Sequence, residues 1–176
     1  MKLAEALALM LERHGVRHVF GVSGGANLHL IHGICDATKI QFIPTTHECN
    51  AGFAADAYAR VAGLGVAMVT SGPGATNLVT AIATSYYDSV PVLYITGNVA
   101  THRQSKPLGV RQYGFQDHDI VGSVMGFVNG AYELVTPDEL ENTLEMLLHL
   151  ARTNRRGPVL LDIPDDLQRA ELSYCP

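Results

Sequence analysis

The chain has no tryptophan, and it carries little charge: Asp, Glu, Lys and Arg make up 16% of its 176 residues. That is well below the usual quarter of a globular chain. Together with a 47% hydrophobic content, the shortage of charge points to surface that is hidden against a partner. Cysteines number three, Cys35, Cys49 and Cys175, with no C-x-x-C spacing. An odd, unpaired set argues against a disulfide framework and fits a reducing cytoplasm. No apolar run approaches the ~20 residues of a membrane span. The N-terminal apolar stretch is broken at helical spacing by Glu5, Glu12, Arg13 and His14. It reads as an amphipathic helix, not a signal peptide. Basic residues do not cluster, and the net charge is −5; the short group Arg152, Arg155 and Arg156 suits a helix C-terminus. Nucleic acid is therefore not an expected partner. Eight histidines show neither H-E-x-x-H nor paired C-x-x-C spacing, so no metal site is expected.

What is present is a regular alternation of strand-like and helix-like segments. Strands are expected at His18–Val22, Gln41–Pro44, Val66–Thr70, Val92–Thr96, Tyr132–Val135 and Val159–Ile163. Helices are expected near Lys2–His14, from Asn27 to Ala37, Asn50–Ala62, Ala75–Tyr86 and Pro137–Thr153. Asn27 is a candidate N-cap for the second. The strands are short continuous apolar runs, which means burial on both faces and a parallel sheet. Six such strands with intervening helices predict a doubly wound α/β fold, a three-layer sandwich around a six-stranded parallel sheet. The domain is expected to span 1–168, and 169–176 reads as a tail, the start of an interdomain linker or a terminal docking segment. Strand order is not legible. In such sheets ligands sit beyond the carboxyl ends of the strands, which directs attention to Ser23–Asn27, Thr45–Cys49, Ser71–Asn77 and the segment from Gly97 onward.

Three motifs fall there. Glu48 follows a buried strand and precedes a segment of small residues, Ala51, Gly52, Ala54, Ala55, Ala57 and Ala59. A carboxylate there complements the helix dipole without any further role; the small-residue face suggests an interface. Gly72-Pro73-Gly74-Ala75-Thr76-Asn77 looks like a phosphate loop, but it lacks a third glycine and a G-K-[ST] end, so it is weak as a nucleotide fingerprint. Ser23-Gly24-Gly25-Ala26 is a small-residue turn of low specificity. A Ser–His–Asp hydrolase is poorly supported, and Cys49 is a poor candidate nucleophile.

Taken in order, HVFGVSGGAN, THECNAGFAADAYARVAG, VAMVTSGPGATNLVTAIATSYYDSVPVLYITG, GFQDHDIVG and GPVLLDIPDDLQ are far more specific than any one of them. Over about Leu3 to Gln168 the chain resembles the N-terminal pyrimidine-binding domain of thiamine-diphosphate enzymes, closest to the acetolactate synthase branch. The resemblance implies that Glu48 is the carboxylate that hydrogen-bonds N1′ of the cofactor's aminopyrimidine. That contact favours the imino form, which removes the C2 proton, and Glu48 should be partly desolvated to make it. It implies that Gly24, Gly25 and Ala26 flank the cofactor. Gly72, Pro73, Gly74 and Asn77 would lie at the pyrimidine site and dimer contact, and Phe115 and Gln116 would line the substrate pocket. The expected cofactor is thiamine diphosphate, held by its pyrimidine end. Its Mg2+ would come through a diphosphate-binding domain not contained in these residues, which have no G-D-G motif, and FAD would belong to the full enzyme. A homodimer is implied. So is a diphosphate-binding domain, either in the same longer chain or on a separate subunit, as in split 2-oxo acid decarboxylases. The alternative is a non-catalytic oligomerisation module, against which the presence of Glu48 argues. Cys49 stands where acetolactate synthases usually have glutamine and Asp117 where they often have glutamate. The stretch His102–Gln112 also follows them poorly. These departures bear on the substrate and not on the cofactor.

Overall fold

A computed structural model describes residues Met1–Ser173. Six strands, β1 (His18–Gly21), β2 (Gln41–Pro44), β3 (Gly65–Val69), β4 (Val92–Asn98), β5 (Gly130–Glu133) and β6 (Val159–Pro164), form one sheet. Their order is β2-β1-β3-β4-β6-β5, and every pairing is parallel. The central strands β3, β4 and β6 are buried along their whole length, whereas β2 and β5 at the edges are partly exposed. This is the pattern of a sheet covered on both faces.

The helices are α1 (Leu3–Arg13), α2 (Leu28–Ala37), α3 (Glu48–Ala62), α4 (Pro73–Thr76), α5 (Val79–Tyr87), α6 (Ile120–Val124), α7 (Leu140–Arg152) and α8 (Asp165–Gln168). Successive β4 side chains point to opposite faces, as the strand period of two requires. Leu93 and Ile95 pack with Leu3, Leu7 and Leu11 of α1 and Leu144 and Leu148 of α7. Val92 and Tyr94 pack with Ala55 and Ala59 of α3 and Ala81 and Ile82 of α5. The doubly wound, three-layer architecture expected from the alternation is therefore present.

Three local expectations are corrected, at Asn27, at the helix from Ala75 and at α6. Asn27 does not cap α2; its side chain folds back and closes the preceding turn. The single helix expected from Ala75 is broken at Asn77–Leu78 into α4 and α5. α6 was not anticipated, although Asp119 caps it by accepting from the Gly122 amide at 2.9 Å. The small residues of α3 mostly face inward: Ala51, Ala55 and Ala59 are buried against the chain's own sheet and α5. The residues after α8 run along the N-terminus, with a bridge between Lys2 and Glu171 and a Leu172 amide donating to the Met1 carbonyl at 3.0 Å. Cys35 and Cys49 are free thiols; Cys175 lies outside the described residues. No described helix is long and apolar enough to cross a membrane.

Strand order sets the site. β1 connects outward to β2, and the chain then crosses back to β3 on its other side. A second reversal separates β4 from β6. The loops leaving β1, β3, β4 and β6 thus diverge at the carboxyl edge and leave a crevice there.

Candidate functional site

A cleft of 430 Å³ occupies that crevice. Gly25 and Ala26 contribute from the end of β1, Thr70 and Ser71 from β3, and Asn98, Val99 and Ala100 from β4. His102 and Arg103, Phe115 and Gln116, and Asp165 and Arg169 complete its walls. The turn after β1 is tightly specified. The Gly24 amide donates to Asn27 Oδ1 at 2.8 Å, and Asn27 Nδ2 donates to the Val22 carbonyl at 3.0 Å. Gly97 is what lets this turn lie against β4: a Cβ there would stand 1.7 Å from the Ala26 carbonyl oxygen. Gln168, fully buried, donates to the same Ala26 carbonyl at 2.7 Å and so ties α8 to the turn.

Glu48 is the first residue of α3, immediately after His47, whose Nδ1 accepts from the Cys49 amide at 3.2 Å. The carboxylate is half-buried and sits at the positive end of the helix. Asn77 Nδ2 donates to its Oε2 at 2.9 Å. The other oxygen, Oε1, faces Gly74, where a Cβ would stand 3.4 Å from it and 2.7 Å from Thr70 Cγ2. The absence of a side chain at Gly74 thus lets Thr70 and Glu48 lie close against this backbone. Thr70 joins the two halves of the site: its methyl contacts the Gly74 side, and its hydroxyl accepts from the Ala26 amide at 3.1 Å.

The residues singled out from sequence divide into groups on this edge. Gly25, Ala26, Phe115 and Gln116 line the main cleft. Gly72, Pro73 and Gln116 line an adjoining shallow depression of 390 Å³. Glu48 and Asn77 are hydrogen-bonded to each other beside Gly74, and Gly74 and Gly24 both lie against Thr70. Glu48 itself is not part of the main cleft wall. Gly21-Val22-Ser23-Gly24-Gly25 does match the G-x-S-x-G spacing of a hydrolase elbow, but among the described residues Ser23 hydrogen-bonds no histidine.

Sequence reasoning missed Thr70, Asn98, Arg103, Asp162 and Arg169. Asp162 had a readable signal, a lone acid inside the apolar run Val159–Ile163. It is buried between Thr96 Oγ1, which donates to it at 2.6 Å, and Asn98 Nδ2, which donates at 2.7 Å. Burial pushes its carboxyl up to about 7, helped by the nearby Glu133 and opposed by these two hydrogen bonds. Glu133, its register partner on β5, accepts from Gln104 and is likewise raised by burial. Asp162 thereby fixes Asn98, a wall of the cleft.

Residues 1–123 match the model of the thiamine pyrophosphate enzyme N-terminal TPP-binding domain. The chain belongs to that family. It is 46% identical to an acetolactate synthase of Arthrospira platensis over 98% of its own length and 30% of that protein. It is 43% identical to the acetolactate synthase large subunit of Corynebacterium glutamicum, over 97% of this chain and 26% of that one. A probable acetolactate synthase large subunit of Methanocaldococcus jannaschii is 42% identical, over 98% and 28%. The chain spans less than a third of the length of these curated relatives.

Among the described residues no group of three or more His, Cys, Asp or Glu side chains could hold a metal ion. What Glu48 offers is a carboxylate with one oxygen held by the Asn77 amide and the other beside Gly74, a donor set that suits a ring nitrogen able to share a proton.

Proposed function

We propose that this TPP-binding domain is the pyrimidine-binding half of an acetolactate synthase-like enzyme acting on 2-oxo acids by decarboxylation and carboligation. The observation that carries the proposal is the placement of Glu48. Its Oε2 accepts from Asn77 Nδ2 at 2.9 Å, and its Oε1 lies beside Gly74 of the turn that follows β3. Thiamine diphosphate, when bound, supplies the electron sink for cleaving and forming bonds next to a carbonyl. The chain's own residues do the placing and the proton handling. Glu48 shares a proton with a ring nitrogen through Oε1. Asn77 holds the carboxylate in one rotamer, so that no reorganisation is needed when the proton moves. Gly72, Pro73 and Gly74 let the ring approach the backbone. Gly24, Gly25 and Ala26, braced by Asn27, Thr70 and Gln168, form the floor nearest the reacting centre. Phe115, which is 82% exposed, and Gln116 form the substrate side.

The diphosphate, with its Mg2+, is held by a complementary domain in a longer chain or on a separate subunit, and FAD belongs to that larger assembly. Phe53 and Val61 on the outer face of α3 and Tyr87 at the end of α5 are exposed apolar side chains and are suited to a homodimer contact. The cytoplasm is the fitting compartment for free Cys35 and Cys49. The test is turnover of a 2-oxo acid by this chain combined with a diphosphate-binding domain. Glu48→Gln is expected to abolish it; robust turnover by that variant refutes the assigned role.

A further inference from the structure

The main cleft is more cationic than the chain that contains it. The net charge of the chain is −5, yet two arginines, Arg103 and Arg169, line this one cavity. They come from different segments that the structure binds together. Arg103 ends the short turn Thr101–Arg103, and Arg169 directly follows α8. Asp166 of α8 clamps that turn, accepting from the Thr101 amide at 3.0 Å and the Thr101 hydroxyl at 2.6 Å. The turn that carries Arg103 is thus fixed to the helix that precedes Arg169.

Their charges are under-used. Arg103 takes part in no ion pair among the described residues, although it lines the cavity. Arg169 makes a single contact, Nη2 to Asp165 Oδ2 at 2.9 Å. The other Asp165 oxygen is 3.8 Å from His29 Nε2. A guanidinium offers five donors in a fork that matches a carboxylate, so most of the donor capacity of both arginines remains open. Asp165 already places one carboxylate against Arg169, which shows the kind of group the wall accepts.

We propose that Arg103 and Arg169 form an anion-binding wall that holds the carboxylate of a small 2-oxo acid in the strand-end cleft, with Asp165 as the resident counter-ion that moderates its affinity. The proposal rests on the reading of the chain as part of a 2-oxo acid enzyme and adds a recognition element to it. These arginines would bind the substrate's charge and take no part in proton transfer at Glu48.

The test is a nuclear magnetic resonance titration of the chain with pyruvate, with methyl pyruvate as the uncharged control and with inorganic phosphate as a second anion. Pyruvate is expected to shift the Nε–H signals of Arg103 and Arg169 together with the amides of Gly25 and Ala26, and methyl pyruvate is not. Arg103→Gln and Arg169→Gln should each weaken pyruvate binding about tenfold, the scale of a charge-assisted hydrogen bond, and Lys at either position should recover part of the loss. Asp165→Asn should tighten binding, by up to about fivefold for a partly exposed charge. A merely structural role for these residues does not produce that opposite sign. Equal binding of pyruvate and its ester, no response to pyruvate, pyruvate binding unchanged in the double variant, or tighter binding of phosphate than of pyruvate each overturns the proposal. A parallel titration with thiamine reads the Glu48 and Asn77 signals. Its failure counts against the cofactor reading alone, so the two results are separable.

Discussion

Asp162→Asn should remove a pH dependence that the folded protein carries in its core. Burial raises the Asp162 carboxyl from its ordinary 3.8 to about 7, so between those values the folded chain binds a proton that the unfolded chain has released. Stability from this group is complete below the unfolded value and is lost as the pH rises through the folded one. From about pH 5 to about pH 8 the folded state gives up roughly two pH units' worth of this linkage, on the order of 3 kcal/mol. The asparagine variant has no charge to bury and should lack that part of the slope. At about pH 8 it should be the more stable of the two by up to the same amount, less whatever is lost where its amide meets Asn98 Nδ2 in place of a carboxylate oxygen. Urea unfolding of both proteins at the two pH values measures the difference directly. Parallel stability curves would show that Asp162 titrates normally and that its hydrogen bonds from Thr96 and Asn98 keep it ionised.

Three further changes probe the crevice. Gly97→Ala places a Cβ 1.7 Å from the Ala26 carbonyl; backbone cannot yield cheaply there, and thermal unfolding should show a loss of about 1–3 kcal/mol or a failure to fold. Gly74→Ala brings a methyl to 2.7 Å from Thr70 Cγ2 and should weaken thiamine diphosphate binding by calorimetry. Adding Thr70→Ser, which lacks that methyl, should restore part of the affinity, a coupling that independent sites do not show.

The central strands were legible because they are buried on both faces. Val66–Val69 and Val92–Ile95 are uninterrupted apolar runs, and no competing pattern fits them. The edges were less clear. β5 opens with Gly130 and Ala131, neither of which favours a strand, so its start was set two residues late. α6 is five residues long, too short for a helical period to emerge. Asn27 followed the capping rule in sequence, but its buried side chain serves the Gly24 turn instead. Glu48 was singled out through a family pattern; spacing alone favours a carboxylate that complements a helix end. Arg103 and Arg169 could not be paired from sequence, because Asp166 and Thr101 bring their segments together only in the folded chain.

The central claim is a proton held between Glu48 and the cofactor's ring. Its most direct measurement is the rate at which the C2 proton of thiamine diphosphate exchanges into heavy water on this chain joined to a diphosphate-binding domain, with no substrate present. The unsubstituted protein should accelerate exchange, and Glu48→Gln should slow it by about 10²–10⁴-fold, the usual weight of a positioned acid–base group. Exchange just as fast in the glutamine variant would contradict the account.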